Sequence, residues 1–240
     1  RIYCGVIIDN TYLYMGTDNG ILIYNYRTDR YEQPATDFPT DVRTMALQGD
    51  TLWIGALNGL YTYQLQNRKL RPLGTKRNGL PHNTIYSIIR TGDNQIYVGT
   101  YNGLCRYIAS NGKFEKIPLP VNSSQSNLFV NSLLEDTGRQ CIWIGTEGYL
   151  FQYFPSTGQM KQTEAFHNNS IKSLALDGNG YLLAGTDNGL YVYHNDVTPL
   201  QHIIHDSRNI QSLTNNIIWN IFADQEHNIW LGTDYGISLS

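Results

Sequence analysis

Long apolar runs are missing from this chain of 240 residues. None approaches the roughly 18 residues that a membrane-spanning helix needs, and no charged-then-apolar leader opens the sequence. Any anchor or export signal is therefore expected outside this segment. Charge is also scarce: 15 % of residues are charged, and 17 Lys and Arg against 20 Asp and Glu leave a formal net charge of −3. The cations are scattered, whereas phosphate binding needs them concentrated, so neither a nucleic-acid surface nor polyanion capture is expected. Helical periodicity is absent too, and Gly and Asn recur too often for long helices. Cysteine is limited to Cys4, Cys105 and Cys141. Three is an odd number and they fall in different repeats, so core packing is favoured over a disulfide or a metal site. There is no Gly-x-Ser-x-Gly elbow, no His-Glu-x-x-His, no Cys-x-x-Cys and no phosphate loop. No catalytic residue, cofactor or metal ligand is assigned. His202, His205 and Asp206 read as a surface group on an edge strand or loop.

What the chain has is a repeat. Ile142 to Tyr153, Ile-Trp-Ile-Gly-Thr-Glu-Gly-Tyr-Leu-Phe-Gln-Tyr, returns in variant form at Leu13 to Tyr24, Leu52 to Tyr63, Ile96 to Tyr107, Leu182 to Tyr193 and Ile229 to Ser240. Gly16, Gly55, Gly99, Gly145, Gly185 and Gly232 hold its fourth place, giving steps of 39, 44, 46, 40 and 47 residues. Thr follows the Gly in every copy except the second, which has Ala56. That period fits a blade of four short strands and is too long for a leucine-rich or ankyrin unit.

Each copy reads as two strands and their turn. An apolar entry such as Leu52-Trp53-Ile54 fits a strand buried on both faces, and the Gly lets another backbone or a large ring approach. Thr-x-Asn-Gly then makes a hairpin whose Asn and Gly tolerate positive φ. In the fourth copy Gly148 stands one place early and Tyr149 takes the glycine slot, so that turn should differ. Tandem four-stranded sheets must stack to bury their faces. The expected fold is an all-β propeller, a single domain or most of one over 1–240. Its six repeats span approximately 1–40, 41–80, 81–125, 126–168, 169–212 and 213–240, the last incomplete. Six inner strands against five outer ones suggest part of a larger ring.

The lead-in Ser-Leu-x-x-Asn-x-Ile, the Asp or Gly turn and Ile-Trp-Ile-Gly-Thr-x-x-Gly-Leu together resemble the two-component regulator propeller repeats. The match is best in the third, fourth and sixth units. The Trp-Asp and Gly-His signatures of WD40 blades and the paired glycines of kelch are absent. The resemblance implies a seven-bladed ring in the periplasmic sensor part of a bacterial hybrid two-component protein. It also implies an oligosaccharide ligand, with a membrane helix and a histidine kinase outside this segment. A homodimer through the full-length sensor is compatible with it. In a bacterial source the sequons at Asn122 and Asn168 carry little weight. A protein-interaction scaffold and, third, a polysaccharide lyase or hydrolase are the alternatives.

In a propeller the loop into the innermost strand and the turn between the second and third strands open on the same face. That turn contributes its sixth motif position, Asp18, Leu57, Tyr101, Glu147, Asp187 and Asp234. The inner strand contributes its second, Arg43, Tyr86, Asn131, Lys172 and Trp219. These places vary in size and charge while their neighbours stay fixed. Aromatic rings can cover the apolar faces of a sugar while carboxylates and amides bond its hydroxyls. Arg43, Tyr86, Tyr101, Asn131, Glu147, Lys172, Asp187, Trp219 and Asp234 are the candidate ligand residues. Ordinary solvated loop residues are the bland alternative for each.

Overall fold

The computed structural model describes residues 1–34, 36–74, 78–120, 128–162, 169–194 and 198–239. Asn122, Asn168 and Ser240 lie outside them. The described residues form six antiparallel sheets. The first sheet holds β1 (Ile2–Ile8), β2 (Tyr12–Thr17), β3 (Gly20–Asn25) and β4 (Arg30–Glu32). The second holds β5 (Val42–Gln48), β6 (Thr51–Ala56), β7 (Gly59–Gln64) and β8 (Lys69–Leu73). The third holds β9 (Ile85–Arg90), β10 (Ile96–Thr100), β11 (Gly103–Ile108) and β12 (Lys113–Ile117). The fourth holds β13 (Val130–Asp136), β14 (Cys141–Thr146), β15 (Leu150–Phe154) and β16 (Gln159–Gln162). The fifth holds β17 (Ile171–Leu176), β18 (Leu182–Thr186), β19 (Gly189–Tyr193) and β20 (Gln201–Ile203). The sixth has three strands, β21 (Ile218–Ala223), β22 (Ile229–Thr233) and β23 (Gly236–Leu239). In every sheet the strands pair in chain order, as in a propeller blade.

The sheets divide into two compact units, the first three with Phe129 and the last three. Within the first unit β5 lies against β1 and β2, and β9 against β5 and β6. Within the second, β17 lies against β13 and β14, and β21 against β17 and β18. These four inner strands thus pack into the sheet before them, and the motif glycine makes room for them. A Cβ on Gly55 would stand 2.5 Å from Ile85 Cγ2, one on Gly145 2.6 Å from Ile171 Cγ2, and one on Gly185 2.7 Å from Ile218 Cγ2. At these three glycines what is admitted is a β-branched side chain, while at Gly16 the Val42 carbonyl also comes close, 2.8 Å from where a Cβ would stand, as the sequence suggested. Ile85, Ile171 and Ile218 are fully buried. Burying each stabilises by about 1.5–3 kcal/mol.

The threonine after the glycine closes the hairpin. The hydroxyls of Thr17, Thr100 and Thr186 donate to the carbonyls of Gly20, Gly103 and Gly189 at 2.9–3.0 Å and accept the amides of Asn19, Asn102 and Asn188 at 2.9–3.1 Å. The Gly takes positive φ in these turns and the Asn does not, because the Thr hydroxyl already fixes the Asn amide. In the fourth sheet the positive φ moves to Gly148, at +83°, as its early position predicts.

A second recurring bond holds the other end of the sheet. The indole of Trp53 donates to Gln48 at 3.0 Å, that of Trp143 to Asp136 at 3.0 Å and that of Trp230 to Asp224 at 2.8 Å. Trp53 and Trp143 are buried, but Trp230 is 38 % exposed. An entry strand that reads in the sequence as buried on both faces is therefore buried at Trp53 and Trp143 and exposed at Trp230. Phe222, Ile237 and Leu239 share its exposure, and a Cβ on Gly232 would meet nothing nearer than 3.8 Å. The cysteines are unpaired, with Cys105 and Cys141 buried.

Candidate functional site

All six inner strands carry a register shift at the same place. Paired residues flank an unpaired one: Ile2 and Cys4 flank Tyr3, Val42 and Thr44 flank Arg43, and Ile85 and Ser87 flank Tyr86. Likewise Val130 and Ser132 flank Asn131, Ile171 and Ser173 flank Lys172, and Ile218 and Asn220 flank Trp219. In five sheets the residue before the shift, Val42, Ile85, Val130, Ile171 or Ile218, is fully buried and so must point inward, whereas Ile2 in the first is exposed. The extra residue is then released from the ladder, and a bulge re-aims its side chain. Its freedom from packing explains why the position varies so widely among the repeats.

In the second unit the bulge residues and the hairpin turns form one connected strip. Lys172 Nζ lies 2.8 Å from Asp187 Oδ1 and 4.3 Å from the centre of the Trp219 ring. The indole of Trp219 donates to Asp234 Oδ1 at 2.5 Å. Asn131 Nδ2 donates to Ser170 Oγ at 2.9 Å, and the Ser170 amide donates to Asp187 Oδ2 at 3.2 Å. Glu147 bridges Ser170 through the backbone. Partial desolvation pushes the Glu147 carboxyl above its ordinary range and Asp187 adds to that, while Lys172 opposes it. Six of the nine candidates, Asn131, Glu147, Lys172, Asp187, Trp219 and Asp234, therefore come together.

In the first unit the candidates fall in two groups. Tyr101 and Tyr86 both present themselves to Phe129, with ring centres 4.2 Å and 6.0 Å away at steep angles, and His82 lies 4.9 Å from Tyr101. Arg43 stacks its guanidinium 3.8 Å over the Tyr3 ring and reaches Asp41 at 3.3 Å, while the Tyr3 hydroxyl donates to Asp18. That bond raises the Tyr3 hydroxyl and lowers the Asp18 carboxyl. Leu57 is partly buried and contributes its amide, which donates to the Asp41 carbonyl at 3.2 Å.

Tyr3, Phe129, Ser170 and His82 were missed in the sequence. Tyr3 was within reach, since it holds the same second position as Arg43 and Tyr86. Phe129 and Ser170 immediately precede their inner strands, a place where the motif sets no pattern. His202 lies on the edge strand β20, stacked 4.0 Å from Tyr191, and His205 Nδ1 meets the Leu213 carbonyl. Among the described residues no group of His, Cys, Asp and Glu is placed to hold a metal ion. No described helix is long and apolar enough to cross a membrane.

The family described as two component regulator propeller matches residues 79–102 and 212–235, the lead-ins and inner hairpins of the third and sixth repeats. Solved structures add a whole-length match. The extracellular domain of a B. thetaiotaomicron protein, described both as a one-component and as a hybrid two-component system, is 92 % identical with a TM-score of 0.97, and the match covers 100 % of this chain. The extracellular domain of a second B. thetaiotaomicron hybrid two-component system is 20 % identical over 100 % of the chain with a TM-score of 0.77, which shows the fold alone. Histidine kinase P4 of Formosa agariphila is 28 % identical over 94 % of the chain. The chain spans only 32–33 % of the length of the solved extracellular domains and 18 % of the kinase. The chain folds as a β-propeller segment, and two stretches of its repeats match the two-component regulator propeller family.

Proposed function

We propose that this segment is the ligand-sensing, extracytoplasmic part of a hybrid two-component regulator. It binds an oligosaccharide through its bulge residues, and the signal passes to a histidine kinase elsewhere in the protein. The observation that carries this reading is the bulge repeated in six sheets, which displays Tyr3, Arg43, Tyr86, Asn131, Lys172 and Trp219 beside the turn residues. Aromatic faces flanked by carboxylates, an amide and cations provide both halves of sugar recognition, apolar cover and hydroxyl bonding. The extracellular placement of the 92 % identical domains supports the compartment.

Calorimetry against the oligosaccharide retrieved from a glycan-array screen tests the reading. Replacing Tyr86, Tyr101 and Trp219 together by Ala should weaken binding while the far-UV spectrum and melting curve persist. Unchanged affinity in that variant would remove the site from these residues.

Polysaccharide cleavage is a second reading with one observation behind it. Glu147 has a raised carboxyl beside Asp187, an acid next to a carboxylate as glycoside hydrolysis uses. Chromatography of any bound glycan after long incubation decides between the two: intact ligand supports sensing, shortened products support cleavage.

A further inference from the structure

The second unit's strip is unbalanced in charge. Glu147, Asp187 and Asp234 supply three carboxylates, and Lys172 is the cation among them. The Lys172 ammonium is already committed, ion-paired to Asp187 and resting on the Trp219 ring. Asp234 is held by the neutral indole N–H of Trp219, which orients it without cancelling its charge. Glu147 feels the charges of both Asp187 and Lys172, but the ion pair of the ammonium is with Asp187. Asn131 and Ser170 complete the strip with neutral groups.

We propose that this strip selects its saccharide by charge, accepting neutral and amino-bearing sugars and rejecting uronic and sulfated ones, with Lys172 setting the balance. The inference rests on the sensor reading above. An anionic sugar seated on Trp219 would bring its carboxylate or sulfate against Asp234, and among the described residues of the strip the cation, Lys172, is already committed to Asp187. An ammonium would meet the opposite field, and the arrangement already holds one: carboxylate on one side and indole face on the other is how the Lys172 head is bound. Lys172 therefore occupies the place that the amino group of a ligand would favour. Removing it exposes that place and deepens the negative field.

The test is a glycan array carrying neutral, amino, uronic and sulfated oligosaccharides, probed with the purified protein and followed by calorimetry. Cellotetraose, chitosan tetrasaccharide and tetragalacturonate serve as matched probes alongside any array hit. Hits confined to neutral and amino sugars, with the acidic probe at least tenfold weaker, are expected. Lys172→Met should then raise affinity for the amino probe several-fold relative to the neutral one, an increase that fades with added salt. Glu147→Gln with Asp234→Asn should narrow the gap between the neutral and acidic probes. Because a melting curve reports folding separately, a shift in ratio cannot come from general damage. Hits dominated by uronic or sulfated glycans would leave the sensor reading standing and overturn this one. An array with no hit of any class would overturn both.

Discussion

Asp136 Oδ2 accepts two bonds at once, from the Trp143 indole at 3.0 Å and from Arg139 Nη1 at 2.7 Å. Its other oxygen takes the Arg139 amide at 3.0 Å. Asp224 repeats the arrangement in the sixth sheet, accepting Trp230 at 2.8 Å and the amides of Glu226 and Asn228 at 2.9 Å. The indole bond is thus common to both, and what separates them is burial: Trp143 is 2 % exposed and Trp230 is 38 %. Trp143→Ala should therefore cost about 3–5 kcal/mol, as for a well-packed aromatic core residue. Trp230→Ala should cost about 1 kcal/mol, mostly its hydrogen bond. Urea unfolding of the two variants gives the comparison, and equal losses would show that packing is not the deciding contribution.

The motif glycines allow a parallel test. A Cβ on Gly145 would stand 2.3 Å from Ser132 Oγ and 2.6 Å from Ile171 Cγ2, both in a close-packed interior. On Gly232 it would find 3.8 Å of clearance. Gly145→Ala is expected to cost about 1–3 kcal/mol through forced backbone and side-chain shifts, and Gly232→Ala to stay within about 0.5 kcal/mol. Melting temperatures of the pair suffice to check it.

Most of the fold could be read from the residues because the repeat prints the same local physics six times. The alternation of apolar strand, Gly, Thr and Gly located the inner hairpins, such as Leu52 to Tyr63, which the structure forms as β6 and β7. Pro72 lies on the outer strand β8, an edge where its missing N–H costs no ladder bond. The entry strand of the sixth repeat is not buried on both faces as the motif suggests, because a repeat position specifies which way a side chain points and not what lies beyond it. The variable places were legible as a site through their variability, but their partners were not. Lys172 meets Trp219 from a different repeat, 47 residues away, and no local pattern encodes that pairing. The bulge itself leaves no mark in composition, since any residue type fits a position that the ladder does not use.

Acid sensitivity should centre on Asp136. Burial pushes its carboxyl up, but the bonds from Trp143 and Arg139 and the charge of Arg139 outweigh it, and the group ends below the ordinary value of 3.8. A carboxylate whose folded value is depressed adds stability that is fully present above the unfolded value and is lost as pH falls through the folded one. Asp136→Asn should accordingly destabilise the protein at pH 7, and the gap between variant and parent should close as pH drops below about 4. Urea midpoints at pH 7, 5 and 3 measure this, and a gap that stays constant with pH would assign the Asp136 contribution to shape rather than charge.

Arg139 ties the fourth sheet to the fifth, and its planar fork is what makes that connection. One arm, Nη1, pairs with Asp136, while Nη2 donates to the Gly180 carbonyl at 2.9 Å and to the His194 carbonyl. These are the turn between β17 and β18 and the end of β19, so one side chain satisfies two backbone acceptors of the neighbouring sheet. Its side chain is 21 % exposed and that of Asp136 is 2 % exposed, which limits screening of the pair by water. Arg139→Ala would leave the Asp136 carboxylate buried with its cation gone and both carbonyls without this donor, a loss of about 2–4 kcal/mol. Arg139→Lys keeps the charge but has a point-like head that cannot span Asp136 and both carbonyls, so it should recover only part of that. Hydrogen exchange distinguishes a latch from a local contact. If Arg139 holds the sheets together, the amides of β17 and β18 should lose protection in Arg139→Ala along with those of β14. If protection falls in the Thr137 to Gln140 turn alone, the Arg139 contribution is confined to its own hairpin.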